Sequence, residues 1–433
     1  MAANATAVWR VRPSGSNNNG GGYDPGIASA GIDYSQQNSP QVSQSSTANT
    51  STATVTLTDT GASFTSALIG NGIRVSGTSI STTYTFITAV PTSTTLTLQT
   101  SPGTAGTAVS YNIGGGWADY WTNTTGAPVV AGNTIYILGS GVPNPSSYTY
   151  DYTRTGYFTP VSGDQASGGL VSFIGDPSTP SNGVPCLKVD GLTFYSGGGW
   201  LFKNLWFVAS AANNNAYGIF GGNSNVPLVV INCVFDQFGY DIALSGGSSS
   251  NPPIQAIGIE VFSSVGKHST NASYGMNLSP GSGPGAFMIN SNIHDCIGPG
   301  VIMGRNSVLS NCIIAKNGAA GVVITLTAGY TAECVGCTID ANSGNGIEFT
   351  TQASLSAAVC LNNIISNHVT GGTYGMTVDA GTAAQNSRVQ GFVNYNTFYN
   401  NTTNYNAINA GANDTAEGSN PYVGQSTENY TLA

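Results

Sequence analysis

The chain has 433 residues, of which only 7% are charged and 40% are hydrophobic, and its formal net charge is −9. No run of basic residues is present, which excludes nucleic acid and anionic membranes as the main partners. No apolar stretch approaches the length of a membrane span, and the start "MAANATAVWRVRPSG" lacks the regions of a signal peptide. We therefore expect a protein that is made in the cytoplasm without an export signal.

The N-terminal half divides into regions by its residue pattern. Residues 1–40 are rich in Gly, Asn and Ser and are predicted to lead into the main fold. Residues 41–115 carry runs that alternate apolar and polar residues, such as "ATVTLTD" and "TYTFITAV", and these predict a small antiparallel β-domain. Residues 116–433 are predicted to form the main domain. Its first strand is expected in "AGNTIYILG" at 131–139, and a Tyr-rich insertion near 140–190 is expected to return through "VSFIGDP".

A short pattern recurs from residue 218 onwards, in which a small residue is followed by an apolar, a variable and an apolar residue, as in "GVIM", "GVVI" and "GIEF". The first apolar residue recurs at intervals of 21 to 34 residues, at positions 219, 242, 276, 301, 322, 347, 376 and 407. Variable intervals around a fixed core are typical of a solenoid with loop insertions. Runs of period two that are broken by Gly and Asn favour β-strands over helices.

A second element precedes most copies of this pattern, as in "NCIIAKN" and "GCTIDAN". Its inward apolar residues are predicted to be Phe235, Ile293, Ile314, Ile339, Ile365 and Phe398. Three residues later, a polar side chain recurs at one bend, in Asn317, Asn342, His368 and Asn401. Asparagine tolerates the left-handed backbone and hydrogen-bonds to its neighbours, so this recurrence predicts a stacked ladder.

These repeats resemble the right-handed parallel β-helix family, the pectin-lyase-like architecture, over roughly residues 190–430. The resemblance implies an all-β protein in which a small antiparallel β-domain precedes a parallel β-helix. The N-terminal segment "AVWRVRPSGSNNNGGGYDPGIASAGIDYSQQ" is similar to segments ahead of β-helices in phage virion proteins and in some bacterial surface proteins. Such a resemblance specifies fold better than function.

Carboxylates are scarce enough that each one on the repeat is a candidate catalytic group. Asp340 and Glu348 lie eight positions apart in "CTIDANSGNGIEFT", and two carboxylates are what a glycosidase needs. Stacked coils about 4.8 Å apart place His294 about 9.6 Å from Asp340, whereas the predicted neighbours of Glu348 in its column are Val323 and Thr377. We therefore predict no catalytic site, with His294, Asp340 and Glu348 as the candidates if the protein is an enzyme.

The seven cysteines do not form a metal-binding pattern. Cys334 and Cys337 make a single CxxC without a second pair or a nearby His pair, so neither a metal nor another cofactor is expected. In the aligned coils Cys312 stacks on Cys337, and Cys334 stacks on Cys360. This spacing permits disulfides, but buried free thiols are the favoured interpretation.

One outward column of the repeat is apolar where a solvent-exposed face should be polar. Ile302 and Val323 are adjacent in it, and Phe220 and Ile408 are predicted in the same column. Adjacent exposed aliphatic residues indicate an oligomer or domain interface, covered either by the N-terminal domain or by identical chains. Closed cyclic association, with a trimer favoured, would bury it.

Three classes of function remain open. The favoured class is a non-catalytic structural protein of the phage virion surface: a capsid decoration, a head spike, or a tail-spike or fibre component, bound to other capsid or tail proteins. The β-domain at 41–115 would be its anchor. The second class is a tail-spike polysaccharide depolymerase or lyase, against which the scarcity of carboxylates and His weighs. The third is a bacterial carbohydrate-binding protein or adhesin at the cell surface, and a host surface glycan is a further candidate partner.

Overall fold

In the residues that the structure describes, the chain forms β-strands and two short 3₁₀ turns, at Tyr34–Gln36 and Ser66–Leu68. The computed structural model describes residues 6–27, 31–50, 54–78, 80–103, 105–118, 129–139, 150–152, 169–176, 183–189, 199–209, 217–220, 228–236, 240–243, 254–257, 260–262, 274–278, 285–326, 331–351, 357–378, 393–425 and 429–432. No helix among them is long and apolar enough to cross a bilayer. The chain forms two compact units. The N-terminal unit comprises 1–150, 159–186 and 197–205, and the C-terminal unit comprises 151–158, 187–196 and 206–433.

The N-terminal unit contains a closed antiparallel barrel. Its strands, in barrel order, are Val42–Thr50, Thr56–Thr58, Thr95–Leu98, Ile80–Thr92, Gly72–Gly77 and Gly106–Ile113. Alternating apolar residues point into a core that includes Leu57, Ile73 and Leu96, which confirms the antiparallel β-domain of the sequence analysis. The sequence pattern did not predict the first strand, Val42–Thr50. Only Ala48 and Thr50 are buried in this strand, so its sequence does not alternate between apolar and polar residues.

A parallel sheet accompanies the barrel in this unit. Its strands are Val8–Val11, Thr134–Ile137, Val171–Gly175 and Trp200–Lys203, and Gly22–Tyr23 pairs antiparallel to the first of them. Phe173 lies in register with Phe202, and their rings stack at 5.1 Å. The predicted strand at 131–139 is present, but it is not the first, because Val8 from the N-terminal segment pairs with Thr134. Residues 140–149, 153–168 and 177–182 of the predicted insertion lie outside the described residues.

The C-terminal unit is a solenoid of three parallel sheets, which successive coils visit in turn. Sheet 1 contains Leu228–Ile231, Ile254–Ile257, Ala286–Ile289, Ser307–Ser310, Thr331–Val335, Ala357–Leu361 and Val393–Asn394. Sheet 2 contains Trp206–Ala209, Val234–Asp236, Glu260–Phe262, Asn292–His294, Ile313–Ala315, Thr338–Asp340, Ile364–Ser366, Thr397–Tyr399 and Thr415–Glu417. Sheet 3 contains Tyr217–Phe220, Tyr240–Ala243, Met276–Leu278, Val301–Met303, Val322–Leu326, Ile347–Thr351, Met376–Val378 and Tyr405–Asn406.

Four further strands are described. Tyr150–Tyr152 and Cys186–Val189 each include a chain boundary between the two units, and Tyr422–Gly424 and Asn429–Leu432 form an antiparallel C-terminal hairpin. The all-β fold of the sequence analysis is confirmed.

The inward column of sheet 2 matches the prediction with one addition. The predicted residues from Phe235 to Phe398 are in parallel register with one another, and Val261 lies between Phe235 and Ile293. The sequence pattern missed this coil because "IEVFSSV" carries none of the flanking Asn residues that mark the others. Phe235 and Phe398 are almost fully buried, so the column is the core of the solenoid.

The predicted polar ladder is present as a chain of side-chain hydrogen bonds. Asn317 Nδ2 donates to Asn342 Oδ1 at 2.9 Å, Asn342 Nδ2 lies 3.4 Å from His368 Nε2, and His368 Nδ1 lies 2.9 Å from Asn401 Oδ1. The residues with positive φ are the ones just before the ladder, such as Lys316 at 55°. The ladder side chains therefore satisfy buried polar groups of the bend, and their predecessors make the left-handed turn.

A second ladder at the bend between sheets 1 and 2 was not predicted. Asn363 Nδ2 donates to Asn396 Oδ1 at 3.0 Å, and Asn396 Nδ2 donates to Asp414 Oδ1 at 3.2 Å. The other carboxylate oxygen, Asp414 Oδ2, accepts from the Gly411 backbone N–H at 2.7 Å and from the Tyr405 hydroxyl. Asp414 therefore terminates this ladder at the C-terminal end of the solenoid.

Candidate functional site

The outer column of sheet 2 contains two of the three candidate catalytic residues. Register places Ala315 between His294 and Asp340, so these residues are two coils apart as predicted. The separation is therefore about 9.6 Å along the sheet. Asp340 belongs to the outer column, yet its side chain is fully buried.

Asp340 is buried beneath the C-terminal hairpin. Its Oδ1 accepts from Ser366 Oγ and Asn367 Nδ2, both at 2.7 Å. Gln425 Nε2 donates to both carboxylate oxygens at 2.8 Å, and the Tyr430 hydroxyl lies 3.3 Å from Oδ2. A buried carboxylate is tolerated only when donors of this kind replace its hydration. Asp340 therefore holds the hairpin against sheet 2.

Aromatic residues of the hairpin complete this attachment. The Tyr422 hydroxyl lies 2.8 Å from Ser366 Oγ, and the rings of Tyr422 and Tyr430 meet edge to face at 5.2 Å. Burial raises the pKa of Tyr422, so its hydroxyl stays protonated at neutral pH. The sequence signal for this contact was available in "NPYVGQSTENYTLA", where two Tyr flank a turn, but its target could not be read from the repeat.

The other two candidates lie in separate surroundings. Glu348 belongs to sheet 3, where its column neighbours are Val323 and Thr377 as predicted, and it accepts from Asn345 Nδ2 at 3.0 Å. His294 Nδ1 lies 2.7 Å from a carboxylate oxygen of its chain neighbour Asp295. The structure therefore does not bring His294, Asp340 and Glu348 into one site. In the described part of the chain, no group of three or more His, Cys, Asp or Glu is placed to hold a metal ion.

A polar cleft of about 490 Å³ lies between the hairpin and the bends that join sheets 1 and 2. Its lining is uncharged and combines side-chain amides, hydroxyls and one phenol ring, from Asn290, Asn311, Thr338, Asn429 and Tyr430 among others. At this bend the backbone is left-handed at Asn290 and Asn311, and Asn311 Nδ2 donates to Asn290 Oδ1. The next coil has Gly336 at the equivalent place, so the row of amides is interrupted and the cleft is open there.

The outward column of sheet 3 has the predicted order up to Thr377 and departs from it afterwards, and its role as an interface stays a prediction. Phe220, Ile302 and Val323 belong to one column of sheet 3 by backbone register, and Ile302 and Val323 are partly exposed. The partner of Thr377 is Asn406, two residues before the predicted Ile408. Ile408 is buried, with only 7% of its surface exposed. The side chain of Phe220 lies outside the described part.

The stacked cysteines are free thiols inside the solenoid. Cys334 is in register with Cys360, and all seven cysteines are buried and unbridged. A hydrogen bond with Cys337 and burial together raise the pKa of Cys312, and burial raises the pKa of Cys360. Protonated thiols of this kind pack as small hydrophobic residues, which agrees with the favoured interpretation.

Comparison with known families decides the hand of the solenoid. The family model described as "Right handed beta helix region" matches residues 217–402. These residues form a right-handed parallel β-helix. The β-helix therefore follows the right-handed crossover rule of parallel sheets. A search of curated proteins finds no match to this sequence.

Solved structures similar to this chain include three with different functions. Pectate lyase Pel9A is 13% identical, with a TM-score of 0.42 over 74% of this chain and 80% of that one. The A-module of mannuronan C-5 epimerase AlgE6 from Azotobacter vinelandii is 14% identical, with a TM-score of 0.32 over 66% and 89%. The Gp54 tailspike of Acinetobacter baumannii bacteriophage AP22, in complex with a capsular saccharide, is 11% identical, with a TM-score of 0.22 over 87% and 63%. The three names each refer to a saccharide, but likeness at this level transfers no substrate to our chain.

Proposed function

We propose that this chain is a non-catalytic structural protein of the bacteriophage virion surface: a capsid decoration, a head spike or a tail-spike component. The observation that carries the proposal is that Asp340, a candidate catalytic carboxylate of the solenoid, is fully occupied by hydrogen bonds within the protein. Its two oxygens receive five hydrogen bonds from Ser366, Asn367, Gln425 and Tyr430, and none of its surface is exposed. A general acid or base must reach the proton that it transfers. Asp340 is instead a structural anchor.

The remaining support is architectural. The β-helix carries side-chain ladders at its bends from Asn317 to Asn401 and from Asn363 to Asp414, and such reinforcement suits a structural part of a spike or decoration. The phage assignment rests on the N-terminal segment described above, and the barrel formed within residues 42–113 is the proposed anchor to a capsid or tail protein. Its fold is separate from the repeat, so attachment and projection would use different parts of the chain.

Two measurements test this proposal together. Purified protein is incubated with host capsular and cell-wall polysaccharides, and the polymer size is followed by size-exclusion chromatography; we expect no change. Gold-labelled antibody against the chain is then imaged on virus particles by electron microscopy, and we expect labelling at the particle surface. Rapid depolymerisation that is lost in Glu348→Gln or His294→Ala would show an enzyme instead, and unlabelled particles would remove the virion assignment.

The polar cleft supports a second candidate function, the binding of a surface glycan without cleavage. Uncharged amides and hydroxyls beside a Tyr ring are the groups that hydrogen-bond and stack on neutral sugars. Asn311→Ala removes one amide from the cleft. Asn400→Ala is a matched control, because Asn400 is also exposed and left-handed and donates to the amide one coil back, Asn367. Glycan-array binding lost only in the first variant would support this function, and binding that neither variant changes would refute this site.

A further inference from the structure

The polar cleft takes its floor and its walls from different parts of the chain. The floor is the outer face of sheet 2, where three residues in parallel register line the cleft: Asn292, Ile313 and Thr338. One wall is the bend that carries Asn290 and Asn311. The other wall is the hairpin strand Asn429–Leu432, of which three consecutive residues line the cleft. The hairpin therefore turns this part of sheet 2 from an open face into a cleft.

The hairpin is fastened at Asp340 and Ser366, which are neighbours in one column of sheet 2. Gln425 Nε2 donates to both oxygens of Asp340 at 2.8 Å, and Gln425 Oε1 accepts from Asn420 Nδ2 at 3.0 Å. An ionised carboxylate only accepts and an amide N–H₂ only donates, so both neighbours fix the same orientation of the Gln425 side chain. We call this chain of bonds, from Asn420 through Gln425 to Asp340, the hairpin latch.

Tyr430 belongs both to the cleft and to the attachment of the hairpin. It lines the cleft, and its hydroxyl lies 3.3 Å from Asp340 Oδ2. Its ring meets the buried ring of Tyr422 edge to face at 5.2 Å, and the Tyr422 hydroxyl lies 2.8 Å from Ser366 Oγ. A hairpin that leaves Asp340 therefore takes the Tyr430 ring out of the cleft.

The hairpin is too short to keep its structure without sheet 2. Its strands Tyr422–Gly424 and Asn429–Leu432 have three and four residues, and an isolated two-stranded hairpin is marginally stable at best in water. Residues 417–420, which connect it to the last coil, are exposed, and the space around Gly418 is open. The order of this wall of the cleft therefore depends on the hairpin latch.

We propose that the hairpin is a latched wall of the cleft, and that the hairpin latch and a neutral saccharide bound in the cleft stabilise each other. The inference rests on the glycan-binding function proposed above as the second candidate. It assigns Gln425 and Asn420 as positioning residues, neither of which belongs to the described lining of the cleft. A ligand that binds only the docked hairpin favours docking by the factor 1 + [L]/Kd. Conversely, the apparent affinity falls in proportion to the fraction of chains in which the hairpin is docked.

A glutamate at the latch tests its effect on binding. Gln425→Glu keeps the shape of the side chain but places a second carboxylate against Asp340. Gln44→Glu is the matched control, because Gln44 is a partly exposed glutamine of the barrel and the change in net charge is the same. Neutral oligosaccharides of glucose, galactose and N-acetylglucosamine are titrated calorimetrically into each protein. We expect equal affinity for the wild type and Gln44→Glu, and roughly tenfold or weaker affinity for Gln425→Glu, which corresponds to a docked fraction of about one tenth or less.

Proteolysis measures the same coupling from the side of the hairpin. Cleavage within residues 417–433 is followed by mass spectrometry, with and without the oligosaccharide at about ten times its dissociation constant. We expect the oligosaccharide to slow cleavage of the wild type about tenfold, and Gln425→Glu to be cleaved faster than the wild type. Asn311→Ala, on the opposite wall, should be cleaved like the wild type without oligosaccharide and should lose the protection. Circular dichroism verifies that the variants are folded.

The inference is overturned if no oligosaccharide binds, if Gln425→Glu binds as tightly as the wild type, if its hairpin is cleaved no faster, or if the oligosaccharide does not slow cleavage of the wild type. These results are separable from failure of the function on which the inference rests. Binding that Asn311→Ala weakens and Gln425→Glu does not would keep the glycan site and remove the latch. Labelled virus particles would keep the virion role in each of these cases.

Discussion

His368 makes the stability of the β-helix depend on pH near neutrality. It replaces an asparagine in the ladder between Asn342 and Asn401 and is fully buried. Its Nδ1 lies 2.9 Å from Asn401 Oδ1, which already accepts from the His368 backbone N–H, so Nδ1 is the donor. Nε2 then accepts from Asn342 Nδ2. A protonated ring would place an N–H against that amide N–H₂, leaving both donors unsatisfied.

The structure fixes the sign of this pH dependence. Burial lowers the pKa of His368 below its ordinary 6.5, against smaller raising effects of the Asn401 hydrogen bond and the Asp340 charge. The unfolded chain therefore binds the proton more readily than the folded chain. Above about pH 6.5, His368 does not reduce the unfolding free energy. As the pH drops from there towards the pKa of His368 in the folded chain, the unfolding free energy falls by at most about 1.4 kcal/mol per pH unit for one proton. Below the folded pKa, this contribution is constant.

Replacing the ring with an amide should remove the effect. In His368→Asn, an amide oxygen takes the acceptor position that Asn342 occupies in the preceding coil, and no group titrates near pH 6 in the ladder. Urea unfolding is measured from pH 8 to pH 5 for the wild type, for His368→Asn and for the control His294→Asn. We expect the wild type and the control to lose stability together as the pH falls, and His368→Asn to be flatter by up to about 1.4 kcal/mol per pH unit. Parallel slopes for all three would refute the reasoning.

Two further substitutions test the hairpin and the cleft. Asp340→Ala leaves the hairpin donors without an acceptor, so we expect a loss of about 3 kcal/mol in unfolding free energy and faster proteolysis of the hairpin. The control Asp295→Ala should change neither quantity. Proteolysis at the same rate in Asp340→Ala and the wild type would show that the hairpin docks without Asp340. Gly336→Asn should raise the unfolding free energy, measured with urea, by about 0.5–1 kcal/mol. The φ of 65° at Gly336 suits asparagine, the space around it is open, and the new amide extends the row from Asn311. A lower unfolding free energy would refute the interpretation of Gly336 as an interruption of the row of amides.

The repeat in the sequence predicted the core of the β-helix because the buried residues recur at the same place in each copy. Each inward residue, such as Ile314 or Ile339, is followed at a fixed distance by the polar residue of the bend, and this distance is a local property of the sequence. Aligning the copies therefore predicts which residues pair between neighbouring coils over most of the solenoid. The alignment missed Val261, whose coil lacks the asparagines of the bend, and it placed Ile408 in the outward column of sheet 3, where the register has Asn406.

The surroundings of the candidate site could not be predicted in the same way. Gln425 is 85 residues from Asp340 in the chain and belongs to no copy of the repeat. Its contact depends on where the chain turns after the last coil, which is set by tertiary packing. The same holds for the second ladder, in which Asp414 terminates a row of asparagines that it does not resemble in sequence context. The periodicity of the sequence therefore predicts contacts between copies of the repeat, but it does not predict contacts between the repeat and the segment that follows it.

An enzyme that used Asp340 as a catalytic group would first have to move its C-terminal hairpin. For its carboxylate to meet a substrate, the hairpin must leave sheet 2, which breaks the bonds from Gln425 and Tyr430 and separates Tyr422 from Ser366. Hydrogen bonds to a charged group contribute about 1.5–3 kcal/mol each, so an open state would be rare without a ligand that stabilises it. Any such ligand would have to bind the open state far more tightly than the closed one. A deletion of residues 421–433 that gains cleavage activity is the result that would establish this alternative.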